Sequence, residues 1–305
     1  MYRTILYLVI TILVFPFIAI YSDQSLTELQ WNALDTSVRV MLIIAFTCFI
    51  VSELSRNYSQ TDKLWSITPI IYVWYFAFQG NLSTRLIIMA VLISLWGIRL
   101  SYNFGRRGGY NIVPWKGLED HRWGVLKEIP MLKGRFRWGI FNLVFISLYQ
   151  HTLVLLICLP ALFAIQEKET ALTWIDILAT FLILLFILIE TIADQQQYNF
   201  QKEKYRRIHA KEDLSQNYAD GFVSAGLWKY SRHPNFAAEQ AIWISFYLFS
   251  VSATGQWINW SLAGAVLLVL LFFGSSSFTE KITAAKYPEY KHYQKLTGRY
   301  LPRIF

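Results

Sequence analysis

The chain has 305 residues, 55% of them hydrophobic and 17% aromatic, with a mean hydropathy of +0.35; this excludes an ordinary soluble fold and indicates a multi-pass membrane protein. The formal charge of +8 comes from Lys and Arg set between apolar stretches, and no nucleic-acid motif is present, so membrane topology accounts for it and nucleic acid does not. Cys48 and Cys158 lie inside apolar runs without Cys-x-x-Cys or Cys/His spacing, which gives neither a disulfide framework nor a metal site.

A helix needs about 20 mostly apolar residues to cross the hydrocarbon core. Eight segments meet that requirement, at 4–21, 38–54, 64–80, 84–104, 138–165, 171–194, 235–253 and 257–276, which predicts an all-α polytopic bundle of about eight transmembrane helices. The first lacks a small-x-small cleavage pattern before Tyr21-Ser22-Asp23 and is read as a retained helix. Pro69 interrupts the third, which is rich in Trp65, Tyr72, Trp74 and Tyr75, so a re-entrant helix competes with a full crossing there. Of the 28 Lys and Arg, 24 fall on one side: Arg3, the connections 54–63, 105–137 and 202–233, and the stretch after 276. The other side holds Arg39, Arg85 and Lys168, and Arg99 lies within a span. By the positive-inside rule both termini are expected in the cytoplasm.

Glu53, Glu190, Asp194, Glu239 and Glu280 fall near the cytoplasmic ends of spans. Ionisable groups in spans are costly and usually functional or paired, so five at one depth suggest a polar cavity open to the cytoplasm. The competing reading is that each marks where its helix leaves the membrane. Asp176, at an outer end, reads as a first-turn residue favoured by the helix dipole. In the connection 105–137, Gly-Arg-Arg-Gly-Gly-Tyr precedes Leu-Glu-Asp-His-Arg-Trp. Arg106, Arg107 and Arg122 offer planar donors to a phosphate, or the loop lies on anionic headgroups. Glu190, Asp194, Gln197 and Gln201 form one helical stripe at the end of the sixth span. Glu280 to Arg303 is expected to be an interfacial helix ended by Pro302.

Gly226 to Gln240 reads Gly-Leu-Trp-Lys-Tyr-Ser-Arg-His-Pro-Asn-Phe-Ala-Ala-Glu-Gln, where polar residues run straight into an apolar span. Pro234 suits the first turn of a helix and disfavours helical geometry at His233. Asn235 and Glu239 then share one face, and Arg232 and His233 sit beside an N-terminus that favours an anion such as phosphate. A cationic anchor before an N-capped span is the plainer alternative.

This stretch, the upstream Ala-Asp-Gln-Gln-Gln and the terminal Tyr-Pro-Glu-Tyr-Lys-His-Tyr-Gln-Lys-Leu-Thr-Gly-Arg-Tyr-Leu-Pro together resemble the steroid 5-alpha-reductase-like membrane proteins, in particular their broad, poorly characterised branch. Trp96 to Tyr102 and Leu118 to Trp123 fit that branch too, so the chain divides into N-terminal transmembrane helices at 1–60 and a reductase-like catalytic domain at 61–305. The resemblance implies an enzyme that binds NADPH in a cytoplasm-facing pocket and reduces a carbon–carbon double bond conjugated to a carbonyl in a lipid or sterol-like substrate. By position it implies Asp194, Asn235 and Glu239 as cofactor-binding residues, and it extends to the tail tyrosines Tyr290 and Tyr293; Gln201, Arg232, His233, Arg107 and Arg122 are further candidates from the stripe, the helix start and the basic loop read above. The catalytic counterparts are Glu53 or Asp62 with Tyr102, beside Arg99. Arg99 and Tyr102, three apart on one helical face, pair a weak acid with a fixed cation, which suits stabilising an oxyanion. Two alternatives stand beside the reductase: an S-adenosylmethionine-dependent methyltransferase of a lipid or prenylated substrate on the same fold, and a non-catalytic lipid-binding membrane protein. Either the endoplasmic reticulum or a bacterial inner membrane fits, and the oligomeric state is not specified by the sequence.

Overall fold

The computed structural model describes residues 26–113, 115–166, 170–214 and 216–303; the 4–21 segment and Lys168 lie outside them. Among the described residues the fold is all-helical, with an isolated bridge between Ser231 and Gly298 and no β-strand. Five helices are long and apolar enough to cross a membrane: Glu28–Ser55 (α1), Thr84–Gly105 (α4), Arg135–Phe163 (α6), Trp174–Ala210 (α7) and Leu262–Lys286 (α10). Between them lie Gln60–Leu64 (α2), Thr68–Gln79 (α3), His121–Lys127 (α5), Gln216–Ala219 (α8) and Pro234–Thr254 (α9), with Tyr290–Leu296 (α11) last.

Three expectations change in detail. The 64–80 segment is not one helix: the chain turns at 65–67, and the 12-residue α3 restarts with Pro69 in its first turn, so it is about 18 Å long and too short to cross alone. The 235–253 segment does form a 21-residue helix, but Asn235, Glu239, Gln240 and several serines keep α9 out of the five apolar ones. The expected terminal helix is broken at Pro288, which has no N–H to continue α10; α11 follows, and the chain beyond Leu296 is not helical.

The described residues form two compact units. One comprises the described residues up to Phe181 with Ile244–Leu270, and the other Leu182–Trp243 with the described residues from Leu271 onward. In the first unit α1 is started by a capping box between Thr27 and Gln30, and Gln30 Nε2 donates to the carbonyls of Leu162 and Ile165 at the end of α6. The interior is α6, which lies against α1 and α3, while α3 packs on α4. Glycines allow the closest approaches: a Cβ on Gly97 would stand 2.5 Å from the Ser66 carbonyl oxygen, and one on Gly264 would stand 2.3 Å from that of Leu156. The faces that remain open are apolar, with Ile43, Ile50 and Leu54 on α1 and Ile87, Leu95 and Ile98 on α4 exposed, as lipid-facing helices require.

Candidate functional site

The second unit gathers most of the polar residues singled out in the sequence. Its frame is the second half of α7 and the start of α9. On α7, Glu190 and Asp194 are one turn apart and both buried, Gln197 is half-buried, and Gln201 lies about 10 Å further along the axis from Asp194. α9 begins at Pro234; Asn235 Oδ1 accepts from the Phe236 N–H, and its Nδ2 donates to Asp194 Oδ1 at 3.1 Å, 41 residues away. One turn on, the buried Glu239 accepts from the indole N–H of Trp243 at 3.1 Å. The result is a pair of adjoining helix faces that present carboxylates and amides from inside the unit. Gln197 Oε1 is buried and has no hydrogen-bond partner among the described residues.

Arg232 and His233 have a different employment. Arg232 grips Glu280 of α10 with Nε and Nη2, at 2.7 and 3.2 Å, and gives Nη1 to the carbonyls of Gln294 and Thr297. His233 Nε2 lies 3.0 Å from the same carboxylate, and Gln294 and Arg299 also reach it. The backbone joins in: the N–H groups of Arg232 and His233 donate to Gly298 and Arg299. Arg-His before Pro234 thus clamps the C-terminal stretch onto the unit, and the Arg232 guanidinium is committed on all three nitrogens. Tyr290 and Tyr293 belong to that clamp, both packed on Phe222, with Tyr293 donating to the Trp228 carbonyl. Burial pushes both phenols above their ordinary range. Trp228 in turn donates to Ala193 O, and the Leu227 N–H to Gln196, which ties this region to the α7 face bearing Asp194.

The residues considered for catalysis lie in the first unit, each in its own surroundings. Glu53 accepts from Asn142 Nδ2 at 2.9 Å and borders an apolar groove of about 490 Å³ with Phe49 and Arg135. Asp62 takes the indole N–H of Trp123 at 3.2 Å; burial and then the neighbouring Asp120 carboxylate raise its pKa. Burial would raise Asp120 as well, but the Arg122 guanidinium, 2.6 Å away, holds it below its ordinary value. Arg122 is therefore bound to its own helix cap, while Arg107 is exposed. Tyr102 is 68% exposed, with the Arg106 guanidinium over its ring at 5.5 Å, and Arg99 is half-buried.

Two charged sites escaped the sequence reading. Arg85 and Asp176, assigned to an outer surface and a helix dipole, form a buried pair at 2.8 Å that also engages Thr170, the Ala171 carbonyl and Ser252. The usable signal was opposite charge at the first turns of two consecutive predicted outer ends. Lys204 is buried, donates to Gly221 O and is ringed by Phe200, Tyr205 and Tyr287, which a basic loop composition did not announce.

The family described as "Protein of unknown function (DUF1295)" matches residues 48–297. An uncharacterized protein of Schizosaccharomyces pombe is 38% identical over 266 residues, covering 83% of this chain and 75% of that one. No solved structure matches.

Proposed function

The chain belongs to the DUF1295 family, and from that premise we propose that it is a membrane-embedded, NADPH-dependent reductase of a carbon–carbon double bond conjugated to a carbonyl in a lipid or sterol-like molecule, of the steroid 5-alpha-reductase-like kind. The observation that carries this reading is the hydrogen bond from Asn235 to Asp194 with the buried Glu239 one turn on: two segments distant in sequence present a converging set of acceptors and one amide. Such a set fits the ribose hydroxyls and amide N–H groups of a dinucleotide. When bound, NADPH supplies the hydride. Asp194 and Glu239 then hold hydroxyl or amide donors, and Trp243 keeps the Glu239 carboxylate in place.

A second reading has its own support. Arg232 is committed to Glu280 and to the C-terminal carbonyls, which removes the most prominent phosphate donor, and the remaining faces are acidic. Acidic faces suit the ammonium and sulfonium of S-adenosylmethionine, and so a methyltransferase. Thermal melts of the purified protein with each cofactor separate the two, because a ligand that binds the folded state raises the melting temperature. NADPH is expected to stabilise and S-adenosylmethionine not. Asp194→Asn should weaken NADPH binding about tenfold, the loss of one charge-assisted hydrogen bond. Stabilisation by S-adenosylmethionine alone would replace the reductase with the methyltransferase, and by neither would leave a lipid-binding protein. The proposed location is an integral membrane with both termini cytoplasmic, either endoplasmic reticulum or inner membrane.

A further inference from the structure

We propose that the first unit carries a binding site for the phosphate-bearing headgroup of an anionic phospholipid, in a cavity of about 600 Å³ where α1 and α4 end. The site is built by the loop after α4 folding back on the segment after α1. Asn57 Nδ2 donates to Gly117 O at 2.9 Å, Gln60 Nε2 to Trp115 O at 3.0 Å and Lys63 Nζ to Lys116 O at 2.7 Å. The Tyr110 hydroxyl returns a bond to Lys63 O at 2.9 Å. Gly108 and Gly117, with φ of 85° and 126°, close the loop, and a Cβ on Gly117 would strike the Gly109 carbonyl oxygen at 2.3 Å. The cavity wall is therefore set by the loop's own bonds before any ligand arrives.

The lining selects an anion. Lys116 is exposed on the cavity wall, and its ammonium has no hydrogen bond or ion pair among the described residues. Ser55 Oγ accepts from the Asn57 N–H and from Gln60, which leaves its hydroxyl proton to give. Asn111 Oδ1 accepts from the Val113 N–H, so its amide hydrogens are available too. Among the described residues no carboxylate lines the cavity. Two of the loop's arginines are engaged elsewhere: Arg106 bonds Asn103, and Arg122 bonds Asp120.

The lining also selects a lipid. The site hangs from Ser55 and Gly105, the last residues of two helices apolar enough to span, so it lies at headgroup depth. Around it Trp115 and Leu118 are 51% and 66% exposed and Ile112 is wholly exposed, the side chains that enter an acyl boundary beside a basic residue. A volume of this size takes a phosphoglycerol group with the start of its chains. The site is independent of which cofactor the second unit binds.

A phosphate ester could also arrive as a free ion, and the test separates the two. The full-length protein in neutral detergent is melted with dioctanoyl-phosphatidylglycerol, dioctanoyl-phosphatidylcholine or inorganic phosphate, as wild type and as Lys116→Gln. The phosphatidylglycerol is expected to raise the melting temperature by about 3 °C or more, the other two much less, and Lys116→Gln should abolish the difference. Because Lys116 is exposed, the variant is expected to fold, and its response to NADPH should equal that of wild type. An equal shift with phosphatidylcholine, an equal shift with inorganic phosphate, or no shift in wild type each overturns the proposal, as does an undiminished shift in Lys116→Gln.

Discussion

Single residues in this protein are best understood through the charges that bury them. Asp62 illustrates the sign: its folded pKa lies above the ordinary 3.8, so it contributes stability that is complete below that value and is lost as pH rises through the raised one. Asp120, held low by Arg122, does the reverse, and its contribution fades only in acid. Asp62→Asn, which still offers an oxygen to the Trp123 N–H, should therefore flatten the decline of melting temperature as pH rises above the ordinary carboxylate range. An unchanged slope would show that Asp62 is not the group responsible. Glu280 is the opposite case, a carboxylate met by Arg232, His233, Gln294 and Arg299. Glu280→Ala leaves a buried guanidinium without its counterion and should cost roughly 3–5 kcal/mol, read as a large drop in the detergent melt. Earlier loss of the C-terminal stretch under limited proteolysis would locate that cost at the clamp. From sequence alone, Arg-His-Pro was legible as a special site, but its partner was not, because Glu280 is 48 residues from Arg232 and no local pattern pairs them.

At the scale of elements, apolar length told most of what could be told. The segment 84–104 emerges as Thr84–Gly105, and α9 begins at Pro234 because that ring fits a first helical turn. Hydropathy does not register the turn at 65–67, where Trp65 and Ile67 are as apolar as the helix beyond. Nor does it register the π-helical turns Asn142–Tyr149 within α6, near which Ser147, Tyr149 and His151 bury polar atoms without partners among the described residues. Gly264, in contrast, was silent in sequence and decisive in packing. Gly264 lets α10 pass against the backbone of α6, so Gly264→Val should force the helices apart and destabilise by about 1–3 kcal/mol, while Gly139→Ala, where a Cβ has open space, should be nearly neutral or slightly favourable. Equal melts for the two variants would mean that this crossing does not hold the unit.

For the molecule as a whole, contacts that join distant segments decide the outcome, and these the sequence hides: the first unit takes back residues 244–270 after the chain has built most of the second. Charge alternation is the one long-range property that a sequence does display, and it makes a claim within the first unit alone. The connection 105–137 carries eight Lys and Arg, whereas the stretch between α9 and α10 carries none. If the positive-inside rule governs insertion, these two connections stand on opposite sides of the bilayer, the basic one in the cytoplasm. Both offer positions for a label: Glu128 is 78% exposed and Ile258 80%. The native thiols, Cys48 and Cys158, are buried and give little background. In sealed cells a membrane-impermeant maleimide should modify Ile258→Cys, or reach it from the lumenal side of vesicles, and should reach Glu128→Cys only after permeabilisation or from the cytoplasmic side. Modification of both from one side would require an odd number of crossings to be removed between residues 128 and 258, and the topology drawn from charge would have to be abandoned.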